Sequence, residues 1–147
     1  MREALITLFS ATVGTLGFSL LFGMRPKRLP WTILGGALVC LVYLLTKPLG
    51  NFLCNAVSSF VLMLYCEWIA RLQKAPAVCF FASAAVVLVP GGGLYYTISH
   101  LLQRDYTTAW NYGSSTLSIC LGIAAGVLIA SVGIHLLSLL QKRQMNQ

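Results

Sequence analysis

Apolar residues fall in five long runs, at about 3–23, 30–46, 51–70, 77–103 and 113–141, with short polar stretches between them. Runs of this length with almost no charge predict membrane-crossing helices, because about 20 apolar residues in an α-helix cover a ~30 Å hydrocarbon layer. The connections at 24–29, 47–50 and 71–76 leave no room for a soluble domain, and only 104–112 is long enough to form a small exposed cap. Residues 1–147 therefore read as one all-α domain, a polytopic integral membrane protein with five hydrophobic helical segments. The first run follows Arg2 as the core of a signal peptide would, but it is long and lacks a small-residue cleavage site. It reads as a mature helix.

The fourth run carries its own interruption, Pro90-Gly91-Gly92-Gly93. Proline removes a backbone donor and clashes with the preceding turn, and consecutive glycines have almost no helix propensity. About thirteen residues lie on each side, roughly 20 Å of helix each, which predicts a break near the middle of the layer. Lipid offers no partner for freed backbone groups, so an unwound segment at that depth is tolerated only beside protein or a water-filled cavity. Broken helices of this kind form substrate sites in transporters, and a plain proline kink is the simpler alternative. As a site, the break would present free N–H groups from a half-helix starting near Gly92 and free carbonyls from one ending near Val89, a seat for a carboxylate or a small zwitterion. Tyr95 would add a hydroxyl or an aromatic wall, and Ser83, Asn55 and Ser59 are placed to line the same cavity.

Composition agrees with the pattern: 58% of residues are hydrophobic and 9% charged, too little charge to cover a soluble domain of this size. The net charge of +7 comes from ten Lys and Arg residues scattered in short clusters between the runs, which argues for topological signals and against a nucleic-acid surface. If every segment crosses once, Arg25, Lys27, Arg28, Arg71, Lys74, Lys142 and Arg143 share one side, opposite Arg2, Lys47 and Arg104. That imbalance predicts an external N-terminus and a cytoplasmic C-terminus; a re-entrant fourth segment would weaken it. Cys40, Cys54, Cys66, Cys79 and Cys120 all sit inside apolar runs without CxxC or histidine spacing, so they read as small buried packing residues. No metal site and no cofactor is expected, and no nucleophile with an adjacent base suggests an enzyme.

In the fifth run Ser114, Ser118, Gly122, Gly126 and Ala130 recur every fourth residue, a row of small side chains that lets another helix approach closely. Gly14, Gly17, Gly35 and Gly36 offer further close-contact points. Glu67 is the acid placed well inside an apolar run, which makes it a candidate proton-coupling residue. It also precedes Arg71 by four residues, the favourable order for a helix ion pair, so a purely structural role competes. His100, His135, Trp31, Trp68 and Trp110 lie near segment ends, where amphipathic rings rest at the interface.

Three stretches carry a resemblance: Gly17-Phe18 with Phe22 and the basic loop to Pro30; Glu67-Trp68-Ile69-Ala70-Arg71 followed by Pro76; and Leu88-Val89-Pro90-Gly91 leading into Leu94-Tyr95. Together they are similar to the small subunit of the threonine/serine exporter family, with Gly92 and Gly93 standing where bulkier residues often follow Val-Pro-Gly. The resemblance implies a two-component, proton-driven exporter of small carboxylate-bearing solutes in the bacterial inner membrane, with a larger membrane subunit as partner. It associates members with threonine and serine, and separately encoded pairs with succinate. The residues alone leave two rivals: an assembly subunit with a structural kink, or a homo-oligomeric channel lined by Gly and Ser faces.

Overall fold

The computed structural model describes residues 2–145, with side chains described to residue 136 apart from Ala4. The cations Lys142 and Arg143 and the polar tail at 142–147, expected to fray, lie outside the described side chains. Six helices follow one another: α1 (Arg2–Leu21), α2 (Leu29–Thr46), α3 (Asn51–Gln73), α4 (Ala77–Ala85) with a tighter turn at Val86–Leu88, α5 (Gly91–Leu102) and α6 (Tyr106–Met145). No strand occurs among the described residues. The boundaries have local causes. Proline opens the Pro26–Arg28 turn and the start of α2, Gly50 takes a φ of 90°, and Lys74 closes α3 in the left-handed region with its N–H on the Ala70 carbonyl.

α3 is the central helix. One side of it meets α2 and α4, where Val39, Leu62, Cys66, Ile69, Phe80 and Ala84 form the buried core, and another side meets α6 along the longest seam in the molecule. Close approach at that seam is made possible by two glycines. A side chain at Gly122 would run into the Phe52 carbonyl, and one at Gly126 into the Ala56 carbonyl and the Ser59 hydroxyl. Gly36 receives Thr15 of α1, and Gly35 receives the Tyr65 ring, whose hydroxyl donates to the Trp31 carbonyl at 2.8 Å. Gly14 and Gly17, expected to make similar contacts, have nothing within 4 Å and face outward. Cys40, Cys54 and Cys66 are buried as expected, but Cys79 and Cys120 are exposed.

The helices Pro26–Leu49, Asn51–Gln73 and Tyr106–Leu136 are long and apolar enough to cross a membrane, and the bent pair Ala77–Leu88 with Gly91–Leu102 makes a fourth span if taken as one. The apolar part of α1, Leu5–Leu21, has 17 residues, about 25 Å of helix, at the lower limit for a crossing. The Arg28 guanidinium reaches the Gln73 carbonyl at 3.4 Å, which brings the first and third connections together and gathers Arg25, Lys27, Arg28, Arg71 and Lys74 at one end. At the opposite end the Asn51 amide donates to the Ser115 hydroxyl at 2.7 Å.

The cap expected at 104–112 is mostly helix. α6 begins at Tyr106 because Asp105 acts as its N-cap: Oδ1 accepts the Thr108 N–H at 3.2 Å, and the Asp105 carbonyl accepts Ala109 N–H at 3.1 Å. Hydrogen bonding from Thr108, with a smaller pull from His100, holds the Asp105 carboxyl below its ordinary range. A depressed folded-state pKa contributes stability above the unfolded value of about 3.9 and loses it as pH falls through the folded value. Asp105→Ala is therefore expected to speed hydrogen exchange at residues 106–109 at neutral pH, with the difference from wild type vanishing in acid. Equal exchange at neutral pH would show that the cap does not hold the start of α6.

Candidate functional site

The helix breaks over two residues. Val89 is extended, Pro90 sits at φ −80° and ψ 54°, and the Gly91 N–H bonds the Val89 carbonyl at 2.9 Å, closing a three-residue turn around the proline. Gly91, Gly92 and Gly93 are already helical, so the unwound part is Val89–Pro90 and the two halves meet at 51°. Helix geometry gives the N–H groups of Gly92 and Gly93 no acceptor inside α5, and no side chain caps them. Gly91 and Gly92 have nothing within 4 Å of a built side chain, whereas Gly93 abuts the Thr116 hydroxyl.

The contacts of α5 fix where this opening lies. α6 runs alongside α3 in the same direction, Ser115 beside Asn51 and Ile123 beside Ser59. The stretch 106–114 thus continues past the start of α3, and α5 folds back along it. Gly93 meets Thr116, Thr97 meets Gly113, and Tyr96 and His100 stack on Tyr112 at 5.3 and 5.7 Å between ring centroids. Leu88, just before the break, is in the core with Leu62, and Gly93, just after it, lies level with the Asn51 end of α3. The two halves pair differently: α4 is held by α1, α2 and α3, while α5 leaves that group and packs on α6.

The residues expected to line one cavity are spread over three places. Tyr95 is 67% exposed on α5 and meets Tyr96 edge-on at 5.4 Å. Ser83 is buried on α4 and donates to the Cys79 carbonyl at 3.4 Å. Asn55 and Ser59 are buried on α3; the Asn55 amide donates to the Asn51 carbonyl at 2.7 Å, and the Ser59 hydroxyl reaches the Ala56 and Ile123 carbonyls at 3.1 Å. Ser118 is half-buried and lines an apolar groove of about 860 Å³ between α5 and α6, walled by Phe52, Leu94, Leu101, Trp110 and Leu121.

At the basic end Arg71 donates through Nε and Nη2 to Glu67 Oε1 at 3.3 and 3.2 Å. Beside this pair lies a cleft of about 290 Å³ to which α6 contributes Ser131, Ile134 and His135. The sequence reading paired Glu67 with Arg71 from their spacing but held no signal for His135, which is brought in by the α3–α6 seam. The turn between α5 and α6 was missed as well: His100 Nδ1 is buried, makes no hydrogen bond and lies 3.5 Å from Asp105 Oδ2, an electrostatic approach only.

A family model described as Threonine/Serine exporter, ThrE, matches residues 7–132. The chain belongs to the threonine/serine exporter family. No curated protein and no solved structure matches it. The match runs from α1 into the last third of α6 and includes the break, the glycine seam, Glu67 and Arg71. The family makes the chain a threonine/serine exporter-type membrane transporter.

Proposed function

We propose that this chain is the small subunit of a two-component, proton-coupled exporter of threonine and serine in the bacterial inner membrane, working with a larger membrane subunit of the same family. The observation that carries the reading is the open side of the broken segment. A side chain placed at Gly91 or Gly92 would meet nothing within 4 Å, and α5 buries none of its residues while exposing Leu94, Ile98, Leu101 and Leu102. α3 alone is about 34 Å long, enough to cross the layer, so a hairpin near and beyond its end presents apolar surface that a second subunit would cover. Backbone donors at the break would then face a path shared between the subunits. Proton coupling has Glu67 as its candidate, an acid at the inner end of a span. The gathering of Arg25, Lys27, Arg28, Arg71 and Lys74 at one end supports a cytoplasmic basic face with an external N-terminus.

Co-expression with the larger subunit, followed by efflux of labelled serine, threonine and succinate under an imposed pH gradient, tests this. Expected are serine and threonine efflux that stops when the gradient is collapsed, and a C-terminal reporter that reads cytoplasmic. Succinate efflux alone would replace the amino-acid reading with dicarboxylate export, and a stable homo-oligomer conducting ions without the partner would replace it with a channel.

A further inference from the structure

The break explains nothing about the charges at the other end of the molecule. There Met63, Glu67 and Arg71 from α3 and Ser131, Ile134 and His135 from α6 line the open cleft of about 290 Å³. A second opening, of about 450 Å³, touches the same Glu67–Arg71 pair from the side of the α3–α4 turn, with Lys74 on its wall. The pair thus stands between the loop region and the helix seam.

We propose that this cleft is the loading site for a single zwitterionic hydroxy-amino acid, an inference that rests on the exporter reading and locates its first step. The chemistry of the walls matches that ligand group by group. Glu67 offers an acceptor to the ammonium, Arg71 a donor pair to the carboxylate, Ser131 a hydrogen-bonding partner to the hydroxyl, and Met63 and Ile134 an apolar wall for a short aliphatic chain. The existing ion pair is easy to open. Both Arg71 donors crowd onto one carboxylate oxygen, and the two side chains are 59% and 29% exposed, so water already screens their attraction. A zwitterion inserted between them gives each charge an opposite partner and leaves the site's net charge unchanged. A dicarboxylate instead brings a second negative charge against Glu67, which disfavours it. Position agrees with direction of travel: an exporter takes up its load in the cytoplasm, and this cleft lies at the end where the basic loops gather.

The experiment uses the full chain in its natural complex, reconstituted in vesicles, and measures efflux of labelled threonine, serine, alanine and succinate. Removing a charge-assisted contact predicts a KM for threonine about ten- to hundredfold higher in Glu67→Gln, measured as exchange without a proton gradient so that coupling does not enter, with succinate becoming a competitor. Glu67→Asp, which keeps the charge, should fall between. Ser131→Ala should raise the KM for threonine and serine about tenfold while leaving alanine unchanged, a split that a merely structural role would not produce. Wild-type KM values in both Glu67→Gln and Ser131→Ala, in a complex that exports threonine, overturn the loading site and leave the exporter reading standing. A wild-type complex that moves neither serine nor threonine overturns both.

Discussion

Gly126→Leu is expected to separate α6 from α3 and to destabilise the subunit strongly. Even the first carbon of the new side chain collides with the Ala56 carbonyl and the Ser59 hydroxyl. The backbone oxygen cannot swing away without unwinding α3, so the two helices must move apart along their longest contact. That movement also breaks the 3.1 Å bond from Ser59 to the Ile123 carbonyl across the seam. Overpacking at the upper end of its usual range plus the lost hydrogen bond amounts to about 3 kcal/mol. For a chain of this size that corresponds to a fall in Tm of roughly 6–12 °C, readable by thermal unfolding in detergent. Gly14→Leu is the control, since nothing lies within 4 Å of that position. Equal losses for the two variants would mean that the α3–α6 seam is not what holds the bundle together.

What the sequence made legible, and what it hid, divides along a physical line. The interruption at Pro90 was visible because proline and glycine change the backbone itself, whatever surrounds them. The Glu67–Arg71 pair was visible because helix periodicity alone places residues four apart on one face. The helix on which α5 packs was not visible, because it depends on Gly93 finding Thr116, twenty-three positions away and on a different helix. The start of α6 was hidden for a related reason. Tyr106 to Tyr112 is polar and aromatic, so no apolar run announces a helix there, yet a single capping carboxylate and the facing α5 are enough to form one. Ser83 and Asn55 show a signal that has a local explanation. Polar groups in apolar helices suggested a lined cavity, but a hydroxyl or amide can satisfy itself on the carbonyl four residues earlier, as both do. Thr15, Ser19 and Ser58 behave the same way. A polar side chain inside a span is therefore not by itself evidence of a site when its own helix accepts its proton.

Gly91→Leu should do the opposite of Gly126→Leu: leave the subunit folded and abolish export. Gly91 is the first residue of α5, its φ lies outside the left-handed region, and a side chain built there meets nothing within 4 Å. Exchanging glycine for leucine in a helix gains roughly 0.5–1 kcal/mol of propensity. The thermal midpoint in detergent should therefore stay level or rise slightly. The new side chain, however, projects into the one place where the backbone of the broken segment is uncovered, beside the free N–H groups of Gly92 and Gly93. If solute or the larger subunit approaches the main chain there, a branched four-carbon group keeps it out, and threonine efflux should fall more than a hundredfold. Co-purification with the larger subunit tells these apart: it persists if the opening takes solute and is lost if it is a docking surface. Unchanged efflux with unchanged assembly would leave the proline break as a bend that swings α5 from the bundle onto α6, with no guest of its own. Gly93→Leu is the comparison that keeps this interpretable: there the side chain strikes the Thr116 hydroxyl, so a loss of export would come with a loss of stability. Only the pairing of lost export with retained stability at Gly91 assigns function, and not fold, to the exposed backbone.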